Sequence, residues 1–265
     1  MDLGLTGKRV LVTGASAGLG AAVAMAFAAE GAAVVINGRD LNRLEATANT
    51  IESRTGMRPG LAVGDVSKSP DRVRVINSAR DQLRDGMVDI LVSNTGGPPP
   101  GAFLDQTGDT WREAGQLLVD SAVGLTRAFL PGMIEQNWGR LIYITSVAVL
   151  QPVDDLILSN SYRAAVTGFC KTISNNYAKH GITANCVCPG YTATERLLSL
   201  AESRAQTKGT TAKDELRAFS AQVPSGRLGR PEELAALIVF LASDQAAYIS
   251  GSSIAVDGGA HRGLL

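Results

Sequence analysis

The chain has 265 residues, in which 25 Lys and Arg balance 25 Asp and Glu, with an isoelectric point near 6.7. That length is ample for a large buried core in one domain, and the balanced charge argues against a nucleic-acid-binding or acidic-membrane surface. The three cysteines, Cys170, Cys186 and Cys188, are an odd number without metal-ligand spacing; they read as small buried residues of a reduced compartment, with no metal site. No signal peptide is visible and no stretch approaches the ~18 apolar residues of a membrane span, so a soluble cytoplasmic protein is expected.

Strand and helix signals alternate along the chain. "KRVLVTG" (8–14) is a short apolar run ending in a turn; residues 18–31 have small and apolar residues at helical spacing with a glycine stop; "AAVVING" (32–38) is a β-branched strand. A charged helix follows at 40–55, a strand end at 61–66, a helix at 69–85 and a strand at 88–94. The second half gives a long helix at 110–137, a strand at 139–146, a helix at 159–179, a strand at 182–190, a proline-started helix at 231–243 and a closing strand at 252–259. Seven apolar strands alternating with helices predict an α/β fold: one doubly wound, Rossmann-type domain over residues 1–265, a seven-stranded parallel sheet with helices on both faces. Right-handed crossovers put the strand C-terminal ends, and the ligand crevice, on one edge. The polar segment 195–222 is too long for an ordinary connection and reads as a flap over that crevice rather than a second domain.

The first strand ends in "TGASAGLG", with Gly14, Ser16, Gly18, Leu19 and Gly20. Glycines there let the backbone approach a pyrophosphate, whose charge meets the free N–H groups that open the next helix. After the first strand of an alternating pattern this turn is a strong dinucleotide signal.

The TGxxxGxG spacing resembles the short-chain dehydrogenase/reductase family, 3-oxoacyl-acyl-carrier-protein reductase-like proteins in particular, over nearly the whole chain. The resemblance implies that "GDV" sets Asp65 and Val66 at the adenine. It makes Asn94 and Gly96 of "SNTGG" part of the cofactor floor, and puts Pro189, Gly190 and Thr194 of "NCVCPGYTAT" at the nicotinamide, Thr194 holding its carboxamide. An acidic residue at the end of the second strand would select NAD by bonding the ribose 2′-OH; Gly38 stands there and Arg39 follows, so NADP is expected and NAD disfavoured. The resemblance also implies a homodimer or homotetramer built through the helices at 110–137 and 159–179.

In the family, an Asn orders water, a Ser polarises the carbonyl, a Tyr moves the proton, and a Lys holds the ribose and lowers the tyrosine pKa. "TRAFLPGM" (126–133) aligns the Asn position with Leu118. "GFCK" (168–171) aligns the Tyr and Lys positions with Ser159 and Arg163, thirteen and seventeen residues after Ser146. Ser159-x-x-x-Arg163 therefore replaces Tyr-x-x-x-Lys, and Ser146 alone is retained. An aliphatic hydroxyl is a much weaker acid than a phenol, whose pKa is ~10. Tyr162, within about 100° of Ser159 and Arg163 on the helix, is a candidate substitute with a packing role as its alternative. Asp154 and Asp155 read mainly as solvated loop acids, and His180 and His261 as lying outside the crevice. "GGPPPG" (96–101) stiffens a rim and either shapes the substrate entrance or serves as a plain turn.

These features point first to an NADP-dependent oxidoreductase that interconverts a small-molecule carbonyl and a secondary alcohol, with an altered catalytic set. A nucleotide-binding sensor without turnover, and non-redox chemistry on the same scaffold, remain as alternatives.

Overall fold

A computed structural model describes residues 2–264. Seven strands form one sheet, paired in parallel throughout: β1 (Arg9–Val12), β2 (Ala33–Gly38), β3 (Gly60–Val63), β4 (Ile90–Ser93), β5 (Gly139–Ile144), β6 (Ile182–Pro189) and β7 (Ser253–Val256), in the order β3-β2-β1-β4-β5-β6-β7. The strands are mostly buried on both faces because successive side chains point to opposite sides. Val10 and Val12 of β1 join the core beneath α1 (Gly18–Ala29) and α9 (Pro231–Ala242), with Val23, Phe27, Leu234 and Ile238. Leu11, between them, joins the opposite core with α3 (Ser69–Gln82), α5 (Ser121–Glu135) and α6 (Ile157–Tyr177). α2 (Leu41–Thr55) connects β2 to β3.

The sheet is as expected; most strand ends coincide with the sequence runs or fall up to three residues short of them, and β3 starts one residue earlier. The expected long helix is α4 (Gly108–Gly115), a π-helical turn (Gln116–Asp120) and α5 in continuous succession, with Leu118 buried in the π turn. Contrary to the sequence expectation, this run, Gly108–Glu135, is long and apolar enough to cross a membrane; here Leu125, Phe129 and Met133 are buried against the sheet.

Segment 195–222 is two helices, α7 (Glu195–Lys208) and α8 (Ala212–Ala221). Thr194 and Thr211 cap them, their hydroxyls accepting from the backbone N–H groups of Leu197 and Asp214. Leu197, Ala201 and Phe219 make a small core of their own, onto which Tyr191 stacks at 4.8 Å between ring centroids with Phe219. Leu197, Ala201 and Ala205 recur every fourth residue, a helical stripe diluted by its polar neighbours.

The chain reverses direction across the sheet between β3 and β4, so β1 and β4 lie side by side and the loops leaving them diverge. That topological switch opens the crevice at the strands' C-terminal ends.

Candidate active site

The turn after β1 is locked to the loop after β4. The Thr13 hydroxyl donates to the Asn94 carbonyl at 2.7 Å and accepts from its N–H at 2.9 Å; the Asn94 amide donates to the Gly14 carbonyl at 3.0 Å. Gly14 has φ +57°, and a Cβ on it would lie 2.8 Å from the Asn94 carbonyl oxygen, so only glycine fits. A Cβ on Gly20 would collide with the Gly14 carbonyl, which lets α1 start directly behind the turn. The N-cap of α1, Ala17, has no capping side chain and its first turn holds no acid, leaving the N–H groups of Gly18, Leu19 and Gly20 unmet by side chains. The helix thus presents an open site for an anionic group beside Ser16, as a bound pyrophosphate requires.

At the end of β2, where an acid would select NAD, Gly38 presents no carboxylate; a Cβ there would come within 3.1 Å of Ser16 Cβ and 3.2 Å of Leu44 Cδ2, a tight fit. Arg39 is exposed and pairs with no acid among the described residues. Its neighbour Asp40 caps α2 instead, accepting from Arg43 N at 3.1 Å. Asp65 accepts from the Ser67 N–H and hydroxyl through one oxygen, at 3.0 and 2.7 Å, and so also fixes its own turn. Val66 beside it is buried.

A cavity of about 830 Å³ opens from this turn along the ends of β4, β5 and β6. Leu19, Asn94, Ser146, Ser159, Arg163, Pro189, Gly190 and Thr194 line it, so the end of the glycine turn at Leu19 and the altered catalytic helix share one space, whereas Gly14, Ser16, Gly18, Gly20 and Gly96 are not among its lining residues. Gly190 allows a close approach to β7: a Cβ there would lie 2.7 Å from Asp257 Cβ. Ser146 accepts from Ala148 N at 3.1 Å, which leaves its hydroxyl proton free to point into the cavity.

Arg163 is a buried cation held by neutral acceptors. Its Nη1 donates to the Ile144 and Thr145 carbonyls, both at 2.9 Å, its Nε to Ser159 Oγ at 3.2 Å and its Nη2 to the Gly96 carbonyl at 3.5 Å. Burial, and then the charge of Arg196, push its pKa down to about 10, so it stays protonated at neutral pH.

Tyr162 points elsewhere. It is not among the residues lining the cavity; its ring lies 5.6 Å from that of Trp111 and rests near Gly115 on α4. Asp154 lines the cavity rim and Asp155 does not.

The placement of His261 corrects the sequence reading. His261 lines the cavity, because the tail after β7 folds back over it, with the His261 N–H donating to Asp257 at 2.7 Å and the Arg262 N–H to Gln151 at 3.2 Å. The Arg262–Gln151 contact spans 111 residues, so no local pattern announces that the tail returns to the cavity. His180 stays before β6, at the opposite edge of the sheet. Arg196, on the first turn of α7, is a second cavity residue that sequence reasoning missed. Its signal was its place two residues after Thr194.

Residues 14–261 match the family model described as Enoyl-(Acyl carrier protein) reductase. The chain is 36% identical to the uncharacterized oxidoreductase YvrD of Bacillus subtilis, each covered in full. It is 32% identical to the 3-oxoacyl-[acyl-carrier-protein] reductase FabG of Aquifex aeolicus, over 98% of this chain and 99% of that one. The crystal structure of L-sorbose reductase from Gluconobacter frateurii, complexed with NADPH and L-sorbose, superposes with a TM-score of 0.94 at 34% identity over the whole of both chains. By sequence and fold, the chain belongs to the short-chain dehydrogenase/reductase family, oxidoreductases that interconvert carbonyl and alcohol groups.

Proposed function

We propose that this protein is an NADP-dependent oxidoreductase that reduces a small-molecule ketone or oxidises the corresponding secondary alcohol, using Ser146, Ser159 and Arg163 in place of the family's usual set. The observation that carries this reading is that those three side chains line one cavity with Leu19 at the end of the glycine turn and with Thr194. The uncapped start of α1, the absence of an acid at Gly38 and the unpaired Arg39 favour a dinucleotide with a 2′-phosphate. The sorbose reductase relative, solved with NADPH, supports the same choice.

When bound, the dinucleotide supplies or accepts the hydride: in reduction the carbonyl carbon gains the hydride with its electron pair, the oxygen gains a proton, and the nicotinamide is oxidised. The protein's part is to hold and polarise. Thr194 and the Pro189–Gly190 bend would hold the nicotinamide end, Asn94 and Gly96 would form the floor, and Asp65 and Val66 would meet the adenine. Ser146 donates to the carbonyl oxygen. Arg163, fixed by the Ile144 and Thr145 carbonyls, keeps a full positive charge beside the oxygen where negative charge develops. With Nε and Nη1 committed to Ser159, Ile144 and Thr145, its Nη2 would be the donor toward a ribose hydroxyl. Ser159 accepts from Arg163 Nε and orients its neighbours; the proton reaches the oxygen through cavity water, with the serine hydroxyl as relay. α4–α5 and α6 would supply the faces of a homodimer or homotetramer.

The test is a fluorescence titration with NADPH and NADH, followed by a cofactor-oxidation assay over a panel of carbonyl compounds. NADPH should bind at least about tenfold tighter than NADH, a gap of about 1.4 kcal/mol. Tight NADPH binding without turnover of any carbonyl would instead favour the sensor reading, which the missing Tyr-x-x-x-Lys pair suggests.

A further inference from the structure

This inference rests on the oxidoreductase reading and concerns its substrate. Arg196 leaves the first turn of α7 and reaches across the cavity to the loop after β4, where its Nη1 donates to the Gly97 carbonyl at 3.2 Å. Gly97 makes room for it, since a Cβ there would collide with the guanidinium. Pro98, Pro99 and Pro100 follow, so this rim has carbonyl acceptors and no N–H donors of its own. Such a rim suits an arginine and contributes nothing to an anion except through that arginine.

The charge around the cavity is one-sided. Arg163, Arg196 and Arg262 line it against a single carboxylate, Asp154. Among the described residues no acid pairs with Arg163 or Arg196, whereas Arg9, Arg43, Arg58 and Arg227 all have partners. Glu195, next in sequence to Arg196, is turned away to Arg43 on α2. The two cavity cations also feel each other: the charge of Arg196 adds to burial in holding the pKa of Arg163 down. An anion placed between them would relieve that repulsion and meet the guanidinium fork in the geometry it binds best.

We propose that Arg196 is a specificity residue that clamps an acidic group of the substrate, and that the substrate is therefore a small carbonyl compound bearing a carboxylate or phosphate within reach of Arg196 while its carbonyl lies at Ser146. The acidic group takes no part in the hydride step. The other anion of this site is the cofactor's pyrophosphate, and the test separates the two.

Short oxo acids and their methyl esters are compared as substrates of the full-length protein. In parallel, malonate, which has carboxylates but no ketone to reduce, is titrated by calorimetry into the NADPH-bound protein, a readout independent of turnover. The acids should exceed their esters in kcat/KM by at least about tenfold. Arg196→Ala should erase that preference and weaken acid binding by about 10–100-fold, the range for a lost hydrogen bond to a charged group. Arg196→Lys should recover part of it, a point charge lacking the fork. NADPH affinity should stay within about twofold. Equal use of acids and esters, or no binding of any acid to the NADPH-bound protein, overturns the clamp. So does an Arg196→Ala variant whose NADPH affinity falls as far as its acid affinity, since Arg196 would then serve the cofactor. Acid binding that depends on Arg196, without turnover, sustains the clamp and overturns the oxidoreductase reading.

Discussion

Arg9 and Arg163 sit at opposite ends of the sheet and are almost equally buried, at 8% and 9% exposure. Arg9 opens β1 at the N-terminal edge; its Nε and its backbone N–H both donate to Asp89 Oδ2 at 2.8 Å, and its Nη2 donates to Gln136 at 2.8 Å. Arg163 lies at the C-terminal edge with carbonyls and a hydroxyl as its only partners. The first cation is neutralised within the fold and ties β1 to β4. The second keeps its charge for whatever enters the cavity. A buried arginine paired with an acid is thus a matter of assembly, and one bonded only to neutral oxygens is a matter of ligand chemistry.

The largest expected effect tests the paired side. Asp89→Ala leaves Arg9 buried and uncompensated and should cost about 3–5 kcal/mol of stability, read from urea unfolding. The NADPH affinity of the folded fraction should not change. Burial alone would raise the Asp89 pKa, but the side-chain and backbone hydrogen bonds from Arg9 outweigh it and hold the carboxyl below its usual range. A depressed carboxylate pKa gives stability that is complete above the unfolded value of ~3.9 and lost as pH falls through the folded one. The parent protein should therefore lose this contribution in that acid window, and Asp89→Asn should show a flatter acid limb.

On the unpaired side, Arg163→Ala should lower turnover of a verified substrate by about 100–1000-fold, as loss of an oxyanion-stabilising donor does. Its stability should shift by no more than about 1 kcal/mol, because removing a desolvated cation offsets the lost hydrogen bonds. If Arg163→Ala unfolds as readily as Asp89→Ala and its folded fraction keeps full turnover, the contrast between the two arginines collapses.

The two ends also differ in how far the sequence could be read. The alternation of apolar runs and helical stripes determines the sheet, because a strand buried on both faces admits few other residue patterns. The glycine turn was legible for a similar reason: Gly14 must hold φ +57° against Asn94, and only one residue type does so. The anchor "GFCK" on α6 and the thirteen-residue separation assign the register of Ser159, Arg163 and Ser146; these three line one cavity, and the Arg163→Ala variant tests the roles that register implies. Contacts made by chain return were not legible. Arg196 reaches Gly97 across 99 residues and Arg262 reaches Gln151 across 111; the place of Arg196 beside Thr194 hints at the cavity but not at Gly97, and nothing near Arg262 hints at Gln151. The helices at 195–222 were obscured differently, their few apolar positions being enough for a small satellite core within a polar segment.

A smaller effect concerns the nucleotide's far end. Arg39→Ala should weaken NADPH binding about tenfold, or 1.4 kcal/mol, and leave NADH nearly unchanged, as measured by fluorescence titration. Equal losses for both cofactors would mean that Arg39 supports the loop and does not contact a 2′-phosphate.

The smallest expected effect belongs to Tyr162, the residue that its position on α6 makes the natural replacement for the missing phenol. Ser159 and Arg163 face the cavity, whereas Tyr162 is turned toward α4, its ring tilted 59° against Trp111. The hydroxyl makes no hydrogen bond within the described residues, so its removal leaves the packing intact and no buried partner orphaned. Tyr162→Phe should therefore change kcat less than about threefold, well short of the ~10²–10⁴-fold that loss of a general acid brings. Ser159→Ala should fall between the two, since that hydroxyl bonds Arg163 and relays protons but is a weak acid. A loss in Tyr162→Phe of the full general-acid size, with an altered pH profile, would place the phenol at the carbonyl in the working enzyme. The face of α6 that meets the substrate would then differ from the one that bears Arg163.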